Sequence, residues 1–301
     1  MKEKVRTIGL ALLALLWPSA GFSQGDCQSL ASPLDQVVCR EKEFAGMSLS
    51  HGVKAAFLGF LADQAILFRP GPVEGKSWMA GRPDPPVQLT WGPLFAGVSC
   101  SGELGYTLGP YELRDRAGQQ PPRHGHYFTL WKKEADGPWK VILDYGVSYE
   151  KPWAGPASFR GETTDCRSVA PGGDARRNAW EKEEKSICRK LTAEGSERTL
   201  APFLSADTWL LWDGEQPLQG RKPGLDFLRK QDRKARVVRC EPLGAGSSAA
   251  GDLGFSYGSL QDSLGRQGYY LRLWRSSGRG NPRLSAAVTV LSPPPPPAKP
   301  D

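Results

Sequence analysis

Two stretches of the sequence decide the fold, because each occurs twice. Gly102-Glu-Leu-Gly-Tyr106 returns 149 residues later as Gly251-Asp-Leu-Gly-Phe255, and Gly125-His-Tyr-Phe-Thr-Leu-Trp131 returns 143 residues later as Gly268-Tyr-Tyr-Leu-Arg-Leu-Trp274. Motifs that recur in the same order at nearly constant spacing predict two tandem copies of one domain, residues 34–150 and 178–292. A linker rich in Pro and Gly, residues 151–177, is expected between them.

Each copy places helical patterns before strand patterns. In the first copy, residues 37–44 and 53–61 have apolar residues at helical spacing, and residues 89–148 contain three or four strand-like runs separated by turn residues. Helices followed by an antiparallel meander are typical of the α+β class. We therefore predict an α+β protein with two domains, each with helices packed on an antiparallel sheet.

The first copy resembles a known family. The residues that carry the resemblance are Phe60–Asp63, Phe68–Pro72, Gly102–Thr107, Gly125–Lys132, Asp136–Lys140 and Asp144. They are similar to the SnoaL-like group of unknown function in the nuclear transport factor two and ketosteroid isomerase superfamily; the second copy matches more faintly. The resemblance implies a cone in which helices pack on a curved sheet around an apolar pocket. The superfamily includes isomerases, cyclases, dehydratases and members that only bind or dimerise, so the resemblance leaves the activity open.

The two ends of the chain have their own composition. A basic start and an apolar run from Ile8 to Trp17 predict a signal peptide, residues 1–23, and no stable membrane insertion. We therefore expect an exported protein, periplasmic or extracellular. Residues 293–301 begin with five prolines and predict a disordered tail or spacer, with binding to an aromatic groove as the alternative.

Six cysteines are expected to form disulfides in an oxidising compartment. Cys27 and Cys166 each precede a cysteine that we expect in a first helix, Cys39 and Cys188, so the simplest pairing is 27 with 39 and 166 with 188. Cys100 and Cys240 would then join the two domains. No Cys-x-x-Cys spacing occurs, and no metal site is predicted.

The net charge of +7 does not indicate a nucleic-acid partner, because the basic residues are spread along the chain and the densest run, residues 229–239, fits an exposed helix end. The chain contains no dinucleotide fingerprint, no phosphate loop and no Gly-x-Ser-x-Gly elbow. No cofactor is therefore expected.

Strand alternation predicts which side chains line a pocket. His126, Phe128 and Leu130 should share one face, and we expect that face to be inward because Arg272 marks the opposite face as the wetter one. The same alternation places Tyr106 and Tyr145 inward and Asp144 outward. The predicted ligand-binding residues are therefore His126, Tyr106, Phe128 and Tyr145, with Trp78 and Arg69 at the rim.

Three functions are compatible with this arrangement. The first is a non-catalytic module that binds a small apolar ligand in the cone of the first copy. The second is an isomerase or dehydratase in which His126 and Tyr106 move a proton. The third is a structural role, in which the duplication builds within one chain the sheet-to-sheet pairing that relatives make as dimers, with the face of Trp131 and Trp274 as the seam.

Overall fold

The computed structural model describes residues 27–135, 137–162, 166, 173–276 and 282–292. The predicted signal peptide, most of the linker after Glu162 and the predicted tail lie outside the described residues. None of the helices in the described ranges has the length and apolar character needed to cross a bilayer.

The first domain begins with helices and continues with strands. Helix α1 (Pro33–His51) starts at Ser32, whose side chain accepts a hydrogen bond from the backbone N–H of Asp35, and Pro33 suits the first helical position. The other helices are α2 (Val53–Phe60) and α3 (Gly75–Ala80). The strands are β1 (Leu61–Phe68), β2 (Pro72–Glu74), β3 (Val87–Trp91), β4 (Phe95–Val98), β5 (Leu104–Asp115), β6 (Arg123–Lys133), β7 (Trp139–Tyr149) and β8 (Arg160–Glu162).

The second domain repeats this plan. Its helices are α4 (Gly173–Glu194), α5 (Ser196–Leu200) and α6 (Arg221–Lys234), and its strands are β9 (Trp209–Trp212), β10 (Leu218–Gln219), β11 (Val237–Ser247), β12 (Leu253–Asp262), β13 (Gln267–Arg275) and β14 (Arg283–Ser292). The predicted linker thus contains strand β8 and the first turn of α4. The exact domain boundaries remain a prediction.

Each domain has its own sheet. The strand order is β2-β1-β7-β6-β5-β4-β8 in the first sheet, with β3 also paired to β5, and β10-β9-β14-β13-β12-β11 in the second. The α+β class and the two tandem domains are confirmed. The sheets are mixed, however, because β1 runs parallel to β7, β4 parallel to β8, and β9 parallel to β14.

The repeat is visible in local geometry. Gly102 and Gly251 both have a φ of 72°, a conformation that favours glycine, so the repeated Gly-x-Leu-Gly motif makes the same turn twice. At the start of the second helix of each domain, a carboxylate accepts a hydrogen bond from a backbone N–H group. Asp84 accepts from Lys54 in the first domain, and Asp232 accepts from Glu197 in the second. These two N–H groups are 143 residues apart, so the helices repeat with that spacing.

The helical spacing explains why two of the three predicted disulfides are wrong. Cys27–Cys39 forms as predicted, but the other bonds are Cys100–Cys166 and Cys188–Cys240. The prediction treats Cys39 and Cys188 as equivalent positions of the two first helices, 149 residues apart. The helices repeat at 143 instead, so the residue equivalent to Cys188 is Ala45. Cys188 lies beside β11 and bonds within its own domain, and Cys100 bonds to the linker. No described disulfide links the two domains directly.

The apolar core has three parts. One lies between the helices and sheet of each domain, centred on Phe44, Phe60 and Trp131 in the first and on Ile187, Phe203 and Trp274 in the second. The third, which we call the seam, contains ten buried residues of the first domain and seven of the second. Its members are Phe68, Phe95, Leu104, Tyr106, Leu108, Phe128, Leu130, Leu143, Tyr145, Val147, Trp209, Leu211, Leu253, Leu271, Leu273, Ala286 and Val288. The seam joins the sheet faces that point away from the helices.

Candidate functional site

His126 lies in the seam region and exposes none of its surface. Its Nδ1 is 2.7 Å from the hydroxyl of Tyr149, which in turn donates to the carbonyl of Gly125. Assigning the single hydroxyl proton to that bond makes Nδ1 of His126 the donor to Tyr149. Nε2 has no hydrogen-bond partner among the described residues. Burial lowers the pKa of His126 to about 3, so the ring is neutral at physiological pH.

The other three residues predicted to line the pocket with His126 also lie in the seam. Phe128 and Tyr106 are fully buried, and their rings stack with centroids 6.0 Å apart. The hydroxyl of Tyr106 donates to Glu162 of β8, and that carboxylate is 3.2 Å from Arg275 of the second domain. The hydroxyl of Tyr145 donates to the carbonyl of Tyr269 at 3.1 Å. Tyr106 and Tyr145 therefore bond across the two domains, and Phe128 belongs to the core that both domains share. His126 lies on the same strand face as Phe128, so none of the four lines the cone of the first domain.

The prediction of the inward face was wrong for a physical reason. Arg272 does not mark a wet face, because only 3 % of its surface is exposed and it forms an ion pair with Glu184. The face with Tyr127, Thr129 and Trp131 is the one covered by helices, and the face with His126 is covered by the other sheet. The prediction that Trp131 and Trp274 form the seam was wrong for the same reason.

The two predicted rim residues do lie at the cone of the first domain. The guanidinium of Arg69 is 5.4 Å from the ring centre of Trp78 and 3.8 Å from Asp144 Oδ1. The Arg69 side chain is 30 % exposed and that of Asp144 is 12 % exposed, so this end of the cone meets solvent. The structure thus brings Arg69 and Trp78 together and separates them from His126 and Tyr106.

Sequence reasoning missed the acidic residue deepest in this cone, Glu41 of α1. It is fully buried, and its carboxylate accepts hydrogen bonds from the indoles of Trp91 and Trp131 and from the hydroxyl of Thr107. Burial outweighs these three donors and raises the pKa of Glu41 from 4.5 to about 7. The signal that could have found it was its recurrence as Glu184, 143 residues later.

Asp144 is the second acid of the same cone and was wrongly placed on an outer face. It lies opposite Thr129 on the neighbouring strand, and the Thr129 hydroxyl donates to it at 3.0 Å. Burial raises its pKa, while Arg69 and Thr129 act in the opposite direction. An acid of this kind, partly accessible and with a raised pKa, could hold or move a proton on a small molecule.

The second domain has a matching but closed arrangement. Glu184 accepts from Ser256, the counterpart of Thr107, and the indole of Trp274 donates to Ser256 at 3.0 Å. The guanidinium of Arg272 pairs with Glu184 and lies 3.9 Å from the ring centre of Tyr270. The counterpart of Asp144 is Ala287. In this cone, Arg272 thus compensates the charge of Glu184, and the described residues provide Ala287 in place of a second acid.

Four cavities among the described residues lie away from the predicted site. The cone of the second domain contains an apolar cavity of about 30 Å³, lined mainly by leucines, which is room for about one water molecule. Larger open clefts of about 590, 550 and 470 Å³ lie on the surface, and neither His126 nor Tyr106 lines any of these four. Cys27, Cys39 and Glu43 are close enough to share a metal, but both sulfurs are committed to a disulfide.

No protein-family model matches the chain, and no curated protein matches its sequence. Solved structures are similar to it over about two fifths of its length. A DUF4783 family protein from Bacteroides ovatus is 11 % identical over 42 % of this chain and 97 % of its own, with a TM-score of 0.30. A putative ketosteroid isomerase from Parabacteroides distasonis is 14 % identical over 38 % of this chain and 87 % of its own, with a TM-score of 0.30.

The protein LinA is 12 % identical over 42 % of this chain and 92 % of its own, with a TM-score of 0.31. At this level of identity and TM-score, these likenesses assign neither a family nor an activity to the chain.

Proposed function

We propose that this chain is an exported, non-catalytic module whose two domains form an intramolecular pseudo-dimer. The observation that carries the proposal is the seam, in which seventeen buried residues from both sheets make one core. Burying such a surface within one chain removes the translational and rotational cost that two separate subunits would meet. The duplication would thus fix a pairing that separate chains reach only by association.

The contacts at the repeated turns have the reciprocity of a two-fold interface. Glu103 accepts from the backbone N–H of Ala249 at 2.6 Å, and Asp252, the counterpart of Glu103, accepts from the N–H of Cys100 at 2.9 Å. Ala249 is in turn the counterpart of Cys100 at a spacing of 149. An interface in which residue i meets j and the copy of i meets the copy of j is isologous, as in symmetric dimers.

Export is supported by the covalent chemistry of the chain. All six cysteines are paired in three disulfides, a pattern of oxidising compartments. Together with the basic and apolar start of the sequence, this favours a periplasmic or extracellular location.

Sedimentation velocity tests the pseudo-dimer. We expect the wild type to be a monomer at all concentrations, because its self-complementary face is already covered. Leu273→Asp places a charge in the seam and should expose apolar surface, so that the variant self-associates or unfolds. Leu264→Asp is the matched control, since Leu264 is 54 % exposed, and it should behave as the wild type does. A wild-type dimer, or a monomeric and stable Leu273→Asp variant, would contradict the proposal.

A second candidate function is acid–base chemistry on a small, mainly apolar molecule at the open end of the first cone. The observation that favours it is the Asp144–Arg69 pair beside Trp78, which the second domain lacks. Asp144 would take a proton from the carbon next to a carbonyl and return it elsewhere, as an isomerase does. His126 exposes none of its surface and is too deeply enclosed for the proton transfer that the sequence analysis predicts for it.

One assay separates the two functions. The conversion of 3-cyclohexen-1-one to its conjugated isomer is followed by ultraviolet absorbance, with the wild type, Asp144→Asn and the exposed control Glu194→Gln. A non-catalytic module gives only the buffer rate with all three proteins. Turnover by the wild type and the control that Asp144→Asn abolishes would overturn the non-catalytic proposal and support the second candidate.

A further inference from the structure

On one side, the seam is covered by the segment that follows β7. Trp153, in this segment, packs edge-on against His126 with ring centres 4.9 Å apart and lies 6.5 Å from the ring of Trp209. Gln216 donates to the carbonyl of Lys151 at 2.9 Å and holds the segment in place. After leaving its sheet, the chain of the first domain therefore turns back over the seam.

A turn of the second domain supports that arrangement. The carboxylate of Asp213 accepts from the backbone N–H of Ser148 at 2.8 Å, and the N–H of Gly214 donates to the carbonyl of Ser148 at 2.7 Å. These bonds dock the turn after β9 onto the end of β7. They close the seam on this side.

The opposite side differs because of one substitution in the repeat. At a spacing of 143, the counterpart of Asp213 is Pro70, which has neither a side-chain acceptor nor an N–H. The counterpart of Ser148 is Leu291, and among the described residues the turn at Pro70 and Gly71 makes neither of the two docking bonds to it. A cleft of about 470 Å³ opens there, lined by Pro70, Tyr269, Gln261 and Gln267, with Ser292 at its wall.

We propose that the C-terminal segment, residues 293–301, binds in this cleft. The described chain ends at Ser292, so the segment starts at the cleft wall. Residues 293–301 follow β14 as residues 150–158 follow β7, and Tyr269 is the counterpart of His126, on which Trp153 packs. By the pseudo-two-fold symmetry, the C-terminal segment would pack against Tyr269, with Pro296 at the position equivalent to Trp153.

The chemistry of the cleft matches a run of prolines. Such a run offers carbonyl acceptors and apolar rings but no N–H donors, and it is preorganised as an extended helix of about 3.1 Å per residue. The cleft supplies the half-buried ring of Tyr269 and the side-chain amides of Gln261 and Gln267. Aromatic rings with nearby donors are the general means by which proteins bind proline-rich segments.

Fluorine NMR of protein labelled with 3-fluorotyrosine tests the proposal. The chain has eight tyrosines, and the signal of Tyr269 is assigned by its absence in Tyr269→Phe. We expect a chain that stops at Ser292 to shift this signal and leave those of the buried Tyr106 and Tyr127 in place. A full-length chain with Gly and Ser in place of the five prolines should show the same shift. The free peptide of residues 292–301 should reverse it at millimolar concentration, which is what a short tether supplies.

Two outcomes would overturn the proposal. If truncation leaves the Tyr269 signal unchanged, the tail does not occupy the cleft. If the signal of the full-length protein varies with protein concentration, the occupant is the tail of a second copy and not that of the same chain. A signal that is independent of concentration and moves on truncation supports the intramolecular seat.

Discussion

In the first cone, Glu41 accepts hydrogen bonds from two indoles and a hydroxyl, whereas in the second cone the equivalent Glu184 meets the guanidinium of Arg272. The donor to one carboxylate oxygen is thus neutral in one domain and cationic in the other. The hydroxyl partner is retained as Thr107 and Ser256, and an indole next to it as Trp131 and Trp274. Both copies thus keep a buried acid on the first helix, and the two acids differ in the charge of their partners.

The two arrangements affect stability differently. In the second domain, the charges of Glu184 and Arg272 compensate each other, so removing either one alone is strongly destabilising. Among the described residues of the first domain, no cation pairs with Glu41, and burial raises the pKa of this acid instead. Glu41 of the first cone can therefore gain or lose a proton near neutral pH.

The largest expected effect comes from breaking the charge pair of the second domain. Arg272→Met leaves Glu184 buried without a counter-charge and should lower the free energy of unfolding by about 3–5 kcal/mol. Trp91→Phe, the matched change in the first domain, removes one neutral donor from Glu41 and should lower it by about 1–2 kcal/mol. Urea unfolding followed by tryptophan fluorescence measures both.

The double variant Arg272→Met with Glu184→Met is the control, because it removes both charges and keeps the volume. We expect it to recover at least half of the lost stability. If the Arg272→Met protein is as stable as Trp91→Phe, the loss of a cationic donor and the loss of a neutral donor to the buried acid have the same effect on stability, which contradicts the prediction.

A pH effect of intermediate size sharpens the same comparison. The pKa of Glu41 is about 7 in the folded protein and 4.5 as the reference, so between these pH values the unfolded chain releases a proton that the folded chain keeps. The contribution of Glu41 to stability is therefore greatest below pH 4.5 and falls by about 3 kcal/mol as the pH rises to 7. The quantity to measure is the difference in the free energy of unfolding between the wild type and Glu41→Gln, at pH 4.5, 6 and 7.5.

We expect that difference to decrease with rising pH. The difference in the free energy of unfolding between the wild type and Glu194→Gln, an exposed position on α4, should stay constant. A constant difference for Glu41→Gln would show that its carboxyl group has the same proton affinity in the folded and unfolded chain.

Much of the fold could be predicted from the sequence because the motifs are local. The repeated turn around Gly102, the helical spacing before it and the strand-like runs after it are set by neighbours in the chain. What alternation cannot supply is the identity of the layer that covers each strand face. Both faces of β6 are buried, Phe128 by the other domain and Trp131 by helices, so apolar content did not distinguish them.

The candidate site was misplaced for the same reason. A β-bulge next to Trp131 also shifts the register, so that Val141 and Leu143 face different layers although they are two residues apart. Arg272 looked like a surface residue because its partner, Glu184, is 88 residues away in the sequence. A buried charge pair leaves no local pattern, and only the register of the helical repeat would have placed Glu184 under it.

The smallest expected effect concerns the reciprocal contacts of the repeated turns. Glu103→Gln and Asp252→Asn each keep a carbonyl acceptor but lose its charge, and each should lower the free energy of unfolding by about 1 kcal/mol. Asp252 should cost slightly more, since only 1 % of its surface is exposed and it also accepts from Ser248 at 2.8 Å. Because the two turns contact each other, the double variant should depart from additivity by at least about 0.5 kcal/mol. If the two losses simply add, the turns act as separate features of their own domains, and the isologous interface makes no joint contribution to stability.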